Sequence, residues 1–167
     1  MKFVVLLFMI TVGSFSTFQN AFADTSKDLP FYSTSYDDKR DPFKDAKAAI
    51  TLAQKTNRNV LIEIGGNWCT WCHKMDAFLE QNPEIYQELH SKFVVLKINV
   101  SDSNENEKFM KALPPVLGYP HMYVSTASGK MILSKDTAEL QEDGKYSTEH
   151  WLNFIRQWQP QAEQANL

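Results

Sequence analysis

Asn59 to Met75 reads NVLIEIGGNWCTWCHKM, and it contains the only two cysteines of the 167-residue chain, Cys69 and Cys72. Val60 to Ile64 is a short apolar run rich in β-branched residues, which reads as a buried strand. Gly65-Gly66-Asn67 breaks it. Beyond the break Cys72, Met75, Phe78 and Leu79 fall at helical spacing, so a helix is predicted from about Cys69 to about Gln81. The unit is strand, turn, then C-x-x-C at a helix N-terminus. Unpaired N–H groups and the positive end of the helix dipole favour a thiolate on Cys69. Cys72 lies one turn further on the same face, within reach of a disulfide. Cys69 is therefore expected to be exposed and to attack, and Cys72 to be the more buried, resolving thiol.

On the N-terminal side, Asp41-Pro42 is a helix start, an N-cap side chain followed by Pro at the first helical position. Ala46, Ala49, Ile50 and Ala53 make the stripe of a helix ending near Thr56. Residues 24–40 are polar with scattered aromatics (Phe31, Tyr32, Tyr36), a weak pattern for a short edge strand. On the other side, Asn82-Pro83 starts a short helix over Glu84 to His90, and FVVLKINV (Phe93 to Val100) is a second strand. A polar loop leads into a helix predicted over Glu105 to Leu113, stopped by Pro114-Pro115. His121 to Ser125 and Met131 to Ser134 read as an antiparallel pair around a Ser-Gly turn. Asp136 to Tyr146 reads as a loop. Ser147 is expected to cap a last helix with Trp151, Leu152, Phe154, Ile155 and Trp158 on its apolar face, ended by Pro160. Crossover helices imply parallel pairing of the early strands, and the hairpin adds antiparallel ones. The fold class is α/β, a mixed sheet with helices on both faces.

Phe3 to Val12 is apolar but too short to span a bilayer, and it precedes the A-x-A site Ala21-Phe22-Ala23. Residues 1–23 therefore read as a signal peptide, with residues 24–40 an N-terminal extension, 41–159 one domain and 160–167 a flexible tail. No cysteine near the cleavage site supports a lipoprotein anchor, and no stable membrane insertion is expected after cleavage. The expected location is periplasmic or secreted. A net charge of -3 argues against nucleic-acid binding. Both cysteines sit in one short motif, where a bridge would constrain little of the chain, so chemistry is the better use for them.

Trp68-Cys69-Thr70-Trp71-Cys72 behind a buried strand, with Glu63 six residues before the first cysteine, resembles the thioredoxin superfamily. His73 and Met75 extend the likeness to exported bacterial thioredoxin-like proteins. The resemblance covers about Asp41 to Trp158 and implies a thioredoxin-like fold and thiol-disulfide exchange. It implies an acid, Glu63, beneath the second cysteine. A buried carboxylate is pushed toward its neutral form and can take the Cys72 proton during resolution. Glu stands where Asp is usual, and Trp71 where many thioredoxins have Pro. Pro120 resembles the superfamily's cis-proline beside the cysteine pair, so Trp68, Tyr119 and Pro120 are the candidate substrate contacts. A protonated His73, one turn after Cys69, is a candidate stabiliser of the thiolate. His90, His121 and His150 have no mutual metal-ligand spacing.

The reading is an exported thiol-disulfide oxidoreductase acting on cysteine-containing envelope proteins. It needs no dissociable cofactor or metal, but needs a redox partner to reset its dithiol. The alternative is a c-type haem-binding protein or metal carrier, since Cys69-Thr70-Trp71-Cys72-His73 also fits C-x-x-C-H. Met75, Met110, Met122 and Met131 would then be candidate axial ligands. A buried strand before the motif and a hairpin after it speak against a cytochrome.

Overall fold

The computed structural model describes residues 29–161. The signal-peptide reading of residues 1–23 and most of the proposed tail lie outside the described residues. The chain forms α1 (Phe31–Thr34), α2 (Pro42–Thr56), β1 (Asn59–Gly65), α3 (Thr70–Gln81), α4 (Pro83–Lys92), β2 (Phe93–Asn99) and α5 (Glu107–Met110). It continues through β3 (His121–Ser125), β4 (Met131–Asp136), a 3₁₀ turn (Thr137–Leu140), β5 (Gln141–Glu142), β6 (Lys145–Tyr146) and α6 (Thr148–Trp158).

The main sheet has the order β2-β1-β3-β4. β1 pairs with β2 in parallel and with β3 antiparallel, and β4 completes the hairpin. β1 and β2 are buried along their whole length, as parallel strands covered on both faces must be. Period-2 alternation sorts their side chains into two cores. Val60, Ile62 and Ile64 meet Ala49 and Ala53 of α2 on one face. Leu61 and Val95 meet Met75 and Leu79 of α3 and Trp151 of α6 on the other. Glu63 and Lys97 continue the second set by parity, and they are register partners across β1 and β2. Met75 and Met122 are fully buried in this core.

Four local expectations are corrected. No strand forms among the described residues before α2; instead α1 docks there, with the Ser33 hydroxyl donating to the Val95 carbonyl at 2.5 Å. The helix predicted to reach Leu113 keeps only Glu107–Met110, because Pro114 and Pro115 follow too closely for another turn. Residues 137–146 hold the 3₁₀ turn and a two-stranded ribbon rather than a plain loop. Ser147 is the N-cap of α6, but its hydroxyl reaches the Glu142 carboxylate at 3.5 Å and caps no helix N–H. Asp41, by contrast, accepts from the Phe43 and Lys44 amides ahead of Pro42, as its sequence predicts. No helix among the described residues is long and apolar enough to cross a membrane.

Candidate active site

The end of β1 and the start of α3 approach each other so closely that side chains are excluded between them. A Cβ on Gly65 would lie 2.5 Å from Cys72 Sγ and 2.9 Å from the Tyr36 hydroxyl. A Cβ on Gly66 would lie 2.6 Å from Trp68 Nε1. The two glycines therefore let the strand end run directly under the cysteine turn. Cys69 and Cys72 are joined in a disulfide with Cα atoms 5.2 Å apart. Cys69 is the N-cap of α3, and its sulfur accepts from the Cys72 amide at 3.1 Å.

Cys72 is fully buried, as expected, but Cys69 is only 3% exposed. The expectation of an exposed Cys69 is not met in the disulfide form. The physical reason is the direction of the side chain. Its sulfur folds back over the first helical turn, bonded to Cys72, and packs with Tyr36 and Trp71. Trp68, the residue before Cys69, is exposed, 55% accessible. The Trp68 indole N–H donates to the Val100 carbonyl at 2.6 Å, and its ring meets Tyr119 edge-on at 5.1 Å. The Tyr119-Pro120 bond is cis. Trp68 and Tyr119 border a groove of about 1070 Å³ with an apolar wall of Met110, Leu113 and Pro114.

Two residues before Gly65 on β1, Glu63 belongs to a buried charged group. Glu63 is 1% exposed, Lys97 Nζ is 3.9 Å from its carboxylate, and Asp76 holds the same ammonium at 2.6 Å. Burial pushes the Glu63 carboxyl up, the Lys97 charge pulls it down and Asp76 pushes it up again, leaving it at about 7. Burial disfavours the Lys97 ammonium, but Glu63 and Asp76 outweigh this and raise its pKa. Lys97 belongs chiefly to Asp76, its nearer partner. One Glu63 oxygen, Oε2, is buried without a hydrogen bond. A cleft of about 200 Å³ is lined by Glu63, Asp76 and Lys97 and includes the half-exposed side of Asp76.

The structure brings Tyr119 against Trp68, the residue before the Cys69–Cys72 disulfide, with the cis Pro120 following Tyr119 and Glu63 buried two residues before Gly65. His73 is exposed, and its Nε2 is bonded to the Asn67 carbonyl at 2.9 Å, which ties the ring to the turn rather than to the sulfur. Three residues of the site escaped the sequence reading. Lys97 was visible as a lone charge in FVVLKINV, and Asp76 lies one turn after Cys72 on α3. Tyr36 gave no signal beyond being an aromatic in a polar segment.

A model of the thioredoxin-like family matches residues 41–127, more than half of the chain. Protein disulfide isomerase-like 1-1 of Arabidopsis thaliana is 27% identical over 104 residues, 62% of this chain and 18% of that protein. Human spermatogenesis-associated protein 20 is 30% identical over 76 residues, 43% of this chain and 10% of that one. The chain spans less than a fifth of the length of the curated relatives it matches. Among solved structures, a disulphide isomerase from Xylella fastidiosa Temecula1 superposes with a TM-score of 0.61 at 26% identity, covering 77% of this chain and 95% of its own. The DsbD C-terminal domain of Neisseria meningitidis superposes at 0.55 and 17% identity, covering 71% and 97%, and bears on the fold alone.

Proposed function

The chain belongs to the thioredoxin-like family, and from that membership we propose that it is a thiol-disulfide oxidoreductase working through Cys69 and Cys72. The observation that carries this reading is the Cys69–Cys72 disulfide at the N-terminus of α3, and a buried Glu63 carboxyl pushed up to about 7 on the preceding strand supports it. A helix N-terminus stabilises a thiolate on its first cysteine. In the reducing direction the Cys69 thiolate attacks a substrate disulfide, and one substrate sulfur leaves. The Cys72 thiol then gives its proton to Glu63 and attacks Cys69 sulfur. The Cys69–Cys72 bond forms, the Cys69–substrate bond breaks, and the second substrate thiolate leaves. A carboxyl titrating at about 7 can both accept and release that proton at neutral pH.

Cys69 is covered in the disulfide form, so substrate reaches it across the corner formed by Trp68, Tyr119 and Pro120. The neighbouring groove offers an apolar wall for the substrate chain. The proposed substrates are cysteine-containing envelope proteins, with a separate redox partner to reset the pair. The short apolar leader and Ala21-Phe22-Ala23 support export to the periplasm or beyond. The Xylella fastidiosa relative, a disulphide isomerase, supports the same chemistry.

The test is catalysis of thiol-disulfide exchange on an oxidised protein substrate in a glutathione buffer. The full chain should accelerate exchange, and Cys69→Ser should abolish the acceleration. A rate equal to that of glutathione alone would remove the assignment.

A further inference from the structure

Tyr36 lies before the segment that the family model matches, yet it closes the redox site. It is 5% exposed, and its hydroxyl is buried without a hydrogen-bond partner. The hydroxyl and Cys72 Sγ flank one point in space, the place a Cβ on Gly65 would take, at 2.9 and 2.5 Å. The position is pinned. Asn67 Nδ2 of the glycine turn donates to the Tyr36 carbonyl at 3.2 Å, and Lys97 Nζ sits 5.1 Å from the ring centroid. A buried donor with no acceptor is unfavourable in the disulfide form, where neither sulfur carries charge. Reduction creates an acceptor beside it.

We propose that the Tyr36 hydroxyl is the hydrogen-bond donor for the Cys72 thiolate, formed when the disulfide opens and used when the mixed disulfide is resolved. This rests on the exchange chemistry proposed above. The phenol keeps its proton throughout, because burial, then Glu63, Asp76 and Tyr146, hold its pKa well above the usual value. The Cys72 proton still goes to Glu63, and the bonds made and broken are those already given. The donated hydrogen bond lowers the thiol pKa of a sulfur that burial would otherwise keep protonated. More thiolate is then present at neutral pH to attack Cys69.

Tyr36→Phe keeps the ring and removes only the unpartnered hydroxyl, so the oxidised variant should melt no lower than the parent. In the reduced full-length chain, the Cβ carbon shift of Cys72 followed by NMR across pH reports its titration. Cys72 packs with Tyr36 and Cys69, and the charged and titratable groups around Tyr36 are Glu63 on β1, Lys97 on β2, Asp76 on α3 and Tyr146 on β6. The titration is therefore repeated in Glu63→Gln. Tyr36→Phe should raise the Cys72 pKa by about one unit in both backgrounds, a roughly tenfold loss of thiolate at neutral pH. Release of a preformed mixed disulfide should slow only about threefold there, since a more basic thiolate is the better nucleophile. Above both pKa values the variant should be the faster, so the two pH profiles cross. Superimposed titrations would overturn the proposal and leave Tyr36 as packing. A shift that vanishes in Glu63→Gln would overturn it too, placing the effect in the carboxyl. The titration needs no turnover, so a chain that fails to exchange with proteins sinks the enzymatic reading without touching this result.

Discussion

Glu63 occupies a position where parity along β1 calls for another aliphatic side chain under α3. Burial there raises its pKa, and Lys97 offsets only part of the cost because Asp76 holds the ammonium more closely. Glu63→Gln removes a proton acceptor with little change in volume. It should slow release of the mixed disulfide by about 10²-fold near pH 7 in single-turnover measurements, while attack by Cys69 changes little. An unchanged release rate across neutral pH would make Glu63 a structural residue. The charge was legible in NVLIEIG because an acid in an apolar run has few bland explanations. Tyr36 was not, because its importance comes from a long-range contact that leaves no period in the sequence.

At the level of elements, the site is a contact between the end of β1 and the first turn of α3. The boundaries of both were readable from the apolar run, the glycine break and the helical spacing. The closeness of the contact was not, since no pattern distinguishes a glycine that only turns from one that admits a sulfur. Gly65→Ala would place a methyl against Cys72 Sγ and the Tyr36 hydroxyl, both buried. It should destabilise the chain by roughly 1–3 kcal/mol in denaturant unfolding, as overpacking does. Full stability in the variant would mean that the turn opens freely. The short elements were read least well. α1, the 3₁₀ turn and the β5–β6 ribbon take their shape from docking on the sheet and α6, which composition does not encode.

For the whole molecule, a buried acid and the buried histidines set opposite dependences of stability on pH. Glu63 has a raised folded pKa, so its contribution is full below about 4.5 and is lost as pH rises through about 7. His90, 7% exposed, is held down to about 4 by burial and by Arg58 and Lys97. Its contribution is full above about 6.5 and is lost as pH falls through about 4. Between about pH 4.5 and 6.5 the Glu63 slope opposes that of His90 and that of His121, whose pKa burial also lowers, so the parent's denaturation midpoint should rise only weakly with pH. Glu63→Gln leaves the histidine slopes unopposed, so stability should rise with pH across that window, His90 alone contributing roughly 3 kcal/mol. A variant curve parallel to the parent would contradict a raised Glu63 pKa.

The two cores, the mixed sheet and the redox corner together make one claim, that disulfides pass through Cys69 and are released by Cys72. The most direct measurement is trapping in an exporting host. Cys72→Ser removes the release step and keeps the attack, so it should accumulate dithiothreitol-sensitive complexes with cysteine-containing proteins. Cys69→Ser should trap far less. Equal trapping by the two variants, or none by either, would contradict the account.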